Sequence, residues 1–273
     1  MTSAKASQIK QKLRDGEIVY SAWLTFQSAA VAEVIAGTGF DVVLIDMEHT
    51  SMNLETLEAS IAAMSRWDPV TIVRVPSHDR GMIKRVLDLG VDGIMVPMVM
   101  NAAQAREVVA ATKYPPTGVR GYGPRRASNY FRNADYFEHA NENTIVMVQI
   151  EHPDAAKNAQ EIANVAGLDV LCLGPADLAV NCGYLHDPGH PTVQDAVDRV
   201  FSAARSAGIP VCMGRYEPAS AQRELVEKGA RFVIASDDLV VLRSGLENHL
   251  RDARAHIAGE PSGHEREETK PSY

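Results

Sequence analysis

The sequence predicts a single-domain (β/α)8 barrel, a TIM-type α/β fold. Eight short, β-rich apolar runs recur along the 273 residues, with amphipathic stretches of helical period between them. The runs are almost continuously apolar rather than alternating, as strands of a parallel sheet covered on both faces are. The length also suits a barrel of about 250 residues. A doubly wound open sheet is the alternative, but no glycine-rich loop follows the first run to favour it.

The first strand is expected in IVYSAWL at 18–24 and the second in DVVLID at 41–46, followed by a helix over 53–66. VTIVRV at 70–75 and GIMVPM at 93–98 give the third and fourth, with a helix over 101–114. TIVMVQIE at 144–151 and LDVLCLG at 168–174 give the fifth and sixth, and a helix over 191–208 leads to IPVCMG at 209–214. RFVIAS at 231–236 completes the set. Gly90, Gly208 and Gly229 each stand between a helical stretch and the next strand, where a left-handed C-cap is expected. The barrel domain is placed at 1–259, and the polar, charged tail at 260–273 reads as disordered.

The longest irregular stretch, 114–136, lies between strands four and five. Loops of this length are commonly functional or disordered. Its RGYGPRR segment offers Arg120, Arg125 and Arg126 among glycines. Two readings stand: a lid that holds an anionic substrate or phosphate, and a solvated basic loop or subunit contact.

Composition bounds the partners. A formal net charge of −8 argues against nucleic acid or an anionic membrane. Cys172, Cys182 and Cys212 are odd in number and lack metal-ligand spacing, so free thiols in a reducing compartment are expected. The N-terminal MTSAKASQIKQKLRDGE has no apolar core of a secretory signal, and no apolar run approaches the roughly 18 residues of a membrane span. The expected location is cytoplasmic.

Barrel active sites sit at the C-terminal ends of the strands, so the residues that end each run are the candidates. Strand two delivers Asp46, Glu48 and His49; strand three Arg74; strand five Gln149 and Glu151; strand six Asp177. Glu151 and Asp177 come from adjacent strands, and two carboxylates brought together repel unless a proton or a cation intervenes. A hard divalent ion held by both, with water and substrate oxygens completing its shell, resolves this. Each acid could instead cap the helix that follows it. His49 could serve as a general base or as a structural hydrogen-bonding group. Arg74 could bind a carboxylate or pair with Asp46 or Glu48. Lys84, Lys113, Lys157 and Lys228 end no predicted strand, so Schiff-base chemistry is not expected and carbonyl chemistry would be metal-assisted.

VLIDMEHTSMN, VRVPSHDRGMIKRVLDLGVDGIMVPMV, YPPTGVRGYG, VQIEH and GPADLAVNCGY, in this order, resemble the metal-dependent (class II) pyruvate aldolases of the HpcH/HpaI aldolase and citrate lyase family. The resemblance runs from about residue 10 to residue 255. It implies Glu151 and Asp177 as metal ligands, His49 as catalytic histidine and Arg74 as the catalytic and substrate-binding arginine. Gln149 falls beside the substrate, and Gly174, Pro175 and Ala176 line the 2-oxoacid. It also implies that Asp88 reaches the histidine of a neighbouring subunit, which makes the enzyme an oligomer, a hexamer or trimer. The implied cofactor is Mg2+, Mn2+ or Co2+, and the implied partners are pyruvate and an aldehyde. Departures from the pattern are Met47, where Gly is common, the Val-Asn of GPADLAVN, and the bulky, basic GYGPRRAS.

The reaction implied is reversible cleavage of a 4-hydroxy-2-oxoacid. A base involving His49, through a water on the metal, removes the 4-hydroxyl proton, and Arg74 steadies the pyruvate enolate. An acyl-CoA ester lyase of the citrate lyase beta or malyl-CoA type is the nearest competitor. A decarboxylase acting on an oxaloacetate-like acid shares the enolate, and a silent scaffold on a barrel frame would bind neither metal nor pyruvate.

Overall fold

The computed structural model describes residues 3–185, 187–214 and 220–259, so the expectation for 260–273 lies outside the described residues. The chain order is α1 (Ser3–Arg14), β1 (Val19–Leu24), α2 (Ala29–Ala36), β2 (Val42–Asp46), α3 (Leu54–Met64), β3 (Val70–Arg74), α4 (Arg80–Asp88) and β4 (Gly93–Val96). It continues with α5 (Ala102–Thr112), α6 (Tyr136–Asn143), β5 (Ile145–Ile150), α7 (Pro153–Lys157), α8 (Ala159–Ala163), β6 (Val170–Leu173) and α9 (Pro175–Asn181). α10 (Pro191–Ala207), β7 (Val211–Gly214), α11 (Ser220–Lys228), β8 (Ala230–Asp237) and α12 (Asp238–Ala258) follow. The eight strands pair in parallel and in sequence order, and β8 returns to β1, closing the barrel.

Two apolar layers explain why the strands read as unbroken apolar runs. Val42, Leu44, Ile72, Met95, Met147, Cys172, Cys212 and Phe232 fill the barrel interior. Alternate residues such as Val43, Ile45, Val73, Ile94, Val148 and Leu171 pack outward against the helices. The period of two is therefore present, but both of its faces are dry. The predicted C-cap glycines hold positive φ: 89° at Gly90, 68° at Gly208 and 122° at Gly229.

The base of the barrel is sealed by α1. Its Ala6, Ile9 and Leu13 are buried in the interior layer. Its lysines reach acids that precede β3, β4, β6 and β2: Lys5 meets Asp68 at 2.7 Å and Asp92 at 3.2 Å, Lys10 meets Asp169 at 3.0 Å, and Lys12 meets Asp41 at 2.8 Å. Asp92 is fully buried, and its carboxyl is pushed up to about 6 by that burial, which Lys5 and the Thr71 N–H only partly offset.

The long stretch between α5 and β5 also lies at this base. Arg120 is buried; its Nη2 donates to Asp88 at 2.7 Å, and its guanidinium lies 4.5 Å from the Tyr114 ring centroid. Arg126 donates to the Leu89 carbonyl, and the Ala127 N–H to the Asp88 carbonyl. The lid reading of Arg120, Arg125 and Arg126 is thus corrected for the mouth of their own barrel. A helix-to-strand connection emerges at the strands' N-terminal ends, opposite the catalytic rim.

Candidate active site

A cavity of about 620 Å3 opens at the C-terminal ends of the strands, lined by His49, Arg74, Gln149, Glu151, Gly174, Pro175, Ala176 and Asp177 among others. Eight of the nine residues expected from the sequence therefore meet in one place. Asp88 does not. It ends α4 at the barrel base, held by Arg120, and within one chain it does not reach His49.

Asp46, the last residue of β2, organises the turn that follows. Its Oδ1 accepts the Glu48 N–H at 3.0 Å, the His49 N–H at 3.5 Å and Arg74 Nε at 2.8 Å. Arg74 ends β3 directly opposite Asp46 in the strand register, which is why the pair forms. Burial works against the guanidinium charge, but the Asp46 hydrogen bond and the charges of Asp46, Glu48 and Glu151 outweigh it and raise its pKa. Trp23 of β1 lies 4.6 Å from the guanidinium carbon by ring centroid and fixes its plane. The ion-pair and ligand-binding readings of Arg74 are compatible. Nε serves Asp46, while the terminal Nη groups have no hydrogen-bond partner among the described residues and are free for a substrate.

Glu151 lies one residue beyond β5 and is 2% exposed. Its Oε1 accepts Gln149 Nε2 at 2.8 Å and its Oε2 accepts the Met98 N–H at 3.1 Å. Met98 follows β4 with φ 52°, a left-handed conformation uncommon outside glycine. Burial pushes the Glu151 carboxyl up to about 7; the Met98 N–H opposes this, and the charges of Glu48 and Asp177 add to it. Glu48 is also raised, by burial first, with Arg74 and His49 opposing and Asp46 and Asp177 contributing. Its Oε2 is buried without a hydrogen bond. Arg74 Nε lies 3.3 Å away, but its N–H points to Asp46, so that contact is one of charge alone.

Asp177 is the third residue of α9, whose N-cap Gly174 provides no side-chain cap. Asp177 itself makes no hydrogen bond or ion pair with the described residues. The helix-cap reading of this acid is therefore reduced to a favourable place in the first turn. Gly174 brings backbone close to Glu151: a Cβ there would sit 2.7 Å from Glu151 Cγ.

These observations fit a divalent cation. Glu48, Glu151 and Asp177 repel one another across the mouth, Asp177 lacks a partner, and Gln149 Oε1 is a buried acceptor without one. Among the described residues no three His, Cys, Asp or Glu side chains form a cage. Two protein carboxylates with water and substrate oxygens are the kind of open shell that Mg2+ or Mn2+ uses. The sequence reading passed over Trp23 and Met98, and gave Glu48 no role beyond a possible partner of Arg74. Glu48 was visible as a strand-end acid, but its part depends on burial against Arg74. Met98 acts through backbone and leaves no mark in residue type.

Comparison with known proteins decides the family. The family model described as HpcH/HpaI aldolase/citrate lyase matches residues 20–244. The chain belongs to that family. A 4-hydroxy-2-oxo-heptane-1,7-dioate aldolase of Shigella sonnei is 40% identical over 243 residues, 88% of this chain and 92% of the relative. A solved HpcH/HpaI aldolase/citrate lyase family protein from Burkholderia cenocepacia superposes with a TM-score of 0.87 at 33% identity, covering 90% of this chain and 99% of that one. The solved citrate synthase SbnG gives a TM-score of 0.83 at 29% identity, covering 94% and 100%. The chain is an enzyme of this family, a carbon–carbon lyase with metal-dependent aldolase activity. No described helix is long and apolar enough to cross a membrane.

Proposed function

We propose that the cavity carries out reversible cleavage of a 4-hydroxy-2-oxoacid to pyruvate and an aldehyde. The observation that carries this reading is the meeting of Glu151, Asp177, Arg74 and His49 at one mouth. Glu151 and Asp177 would hold Mg2+, Mn2+ or Co2+, which, when bound, polarises the 2-oxo group and compensates the carboxylates as a Lewis acid. The free Nη groups of Arg74 bind the oxyanion that grows as the C3–C4 bond breaks, a charge present mainly in the transition state. His49, whose side chain is 58% exposed, serves as the base that takes the 4-hydroxyl proton through a water, and a proton returned to C3 of the enolate gives pyruvate; Glu48 Oε2 lies 3.5 Å from its Nε2, a contact of charge. Gln149 and the backbone of Gly174 to Ala176 line the 2-oxoacid end. Trp23 and the buried strands keep that end dry, which strengthens every charge interaction there.

The working form is an oligomer, a trimer or hexamer. α12 spans 21 residues with none buried, and Leu239, Leu242, Leu246 and Leu250 form a stripe at helical spacing, 50–63% exposed. A second copy covering this stripe would remove an apolar surface that a monomer rarely leaves in water. Asp88 is part-buried at the base and paired with Arg120; its role toward another chain's His49 would require that chain's mouth to meet this base. Free Cys172, Cys182 and Cys212 suit a reducing, cytoplasmic setting.

The test is deuterium exchange into the methyl group of pyruvate, followed by NMR with Mg2+ or Mn2+ and then with chelator, alongside Asp177→Ala. Metal-dependent exchange, abolished in the variant, supports enolate formation at this site. A folded, metal-loaded protein that exchanges nothing would shift the reading to the acyl-CoA branch, which a CoA competition assay would then reveal.

A further inference from the structure

We propose that Asn181 is a positioning residue that sets the spacing of the two carboxylates, an inference that rests on the metal-dependent aldolase reading. Glu151 and Asp177 belong to different βα units, so nothing in the chain's covalent course fixes their separation. The Glu151 side chain is restrained by Gln149 and by the Met98 N–H. The Asp177 side chain has no partner, so its place relative to Glu151 depends on how α9 is seated.

Asn181 closes that gap. It is the last residue of α9, and its Nδ2 donates to the Glu151 backbone carbonyl at 2.8 Å. Among the described residues this is the one side-chain hydrogen bond between Glu151 and α9. Positions 177 and 181 are four apart, so they share a helix face. The face that carries the second carboxylate is thereby tied to the residue that carries the first. Leu178 and Ala179, both buried, seat α9 against the core. With Asn181 in place, the helix can neither roll nor slide without breaking the bond to residue 151. Asn181 is itself exposed, so it contributes little to the core and its role is not one of packing.

The experiment measures Mn2+ binding to the full-length chain by electron paramagnetic resonance, for wild type, Asn181→Ala, Asn181→Leu and Asp177→Asn. The expected result is about five- to tenfold weaker Mn2+ binding in both Asn181 variants, the scale of one lost hydrogen bond in a ligand's outer shell. The bound Mn2+ line shape changes as well, while the melting temperature in chelator stays at the wild-type value. At saturating Mn2+ the pyruvate exchange rate returns to within about twofold of wild type, because binding rather than chemistry is affected. Wild-type affinity and line shape in both variants would overturn the proposal, as would an affinity that falls only in step with melting temperature. A wild type that binds Mn2+ no better than Asp177→Asn refutes the metal reading itself, and this inference with it.

Discussion

Replacing Gly174 by alanine tests the geometry of the site most directly. A Cβ at this position would lie 2.7 Å from Glu151 Cγ and 3.0 Å from Cδ, and nearer still to Oε1. Ordinary contact between such atoms is about 3.5 Å or more, so the carboxylate must retreat by roughly 1 Å. Glu151 cannot retreat freely. Its oxygens accept Gln149 Nε2 at 2.8 Å and the Met98 N–H at 3.1 Å, and a buried carboxylate that loses such bonds forfeits about 1–3 kcal/mol for each. A displacement of about 1 Å at a reacting centre costs on the order of a hundredfold in rate. Gly174→Ala is therefore expected to lower kcat/KM at least about a hundredfold and to weaken Mn2+ binding, with the barrel still folded. Pyruvate methyl exchange and Mn2+ titration, with circular dichroism as the folding control, read all three. A variant within threefold of wild type in both activity and metal affinity would refute the close-approach argument.

Other consequences can be measured as simply. Arg74→Lys keeps a charge but loses the planar fork that serves Asp46 and substrate together, so kcat/KM should fall about 100- to 1,000-fold. Leu242→Glu with Leu246→Glu should leave each barrel folded and dissociate the assembly, seen as monomer mass by light scattering; an unchanged mass would count against α12 as the contact. Asp92 binds its proton more tightly folded, at about 6, than unfolded, near 3.8. Its contribution to stability is full below pH 3.8 and is lost as the pH rises through about 6, a change of about 3 kcal/mol. Urea unfolding at pH 4 and pH 7 should show most of that difference in wild type and a flatter profile in Asp92→Asn.

The barrel was legible because its strands are apolar on both faces and several of its helices are followed by a glycine at positive φ. The rim was legible for the same reason: once eight strands are accepted, the residues that end them must face one mouth. Burial and register were not legible. Arg74 looked equally like a substrate ligand and a partner of Asp46, and the strand register sets it opposite Asp46, which takes Nε and leaves the Nη groups for the proposed substrate contact. The arginines of RGYGPRR drew attention by charge and glycine content. Their place in a helix-to-strand connection was the overlooked clue that they belong at the base. Asn181 could be seen only as a departure from small residues, since the atom it binds is a backbone oxygen.

The dry interior and the helix across the base leave the cavity, among the described residues, opening at the C-terminal ends of the strands. Glu151, at 2% exposure, lies at its inner end, and Leu239, at 52%, stands at the threshold. Traffic through that opening has an order. On the proposed reaction the aldehyde half would lie outermost and depart first, with pyruvate after it; in synthesis pyruvate would enter before its partner. Product-inhibition kinetics will carry that order as a signature, with pyruvate competitive against the hydroxy-oxoacid and the aldehyde noncompetitive.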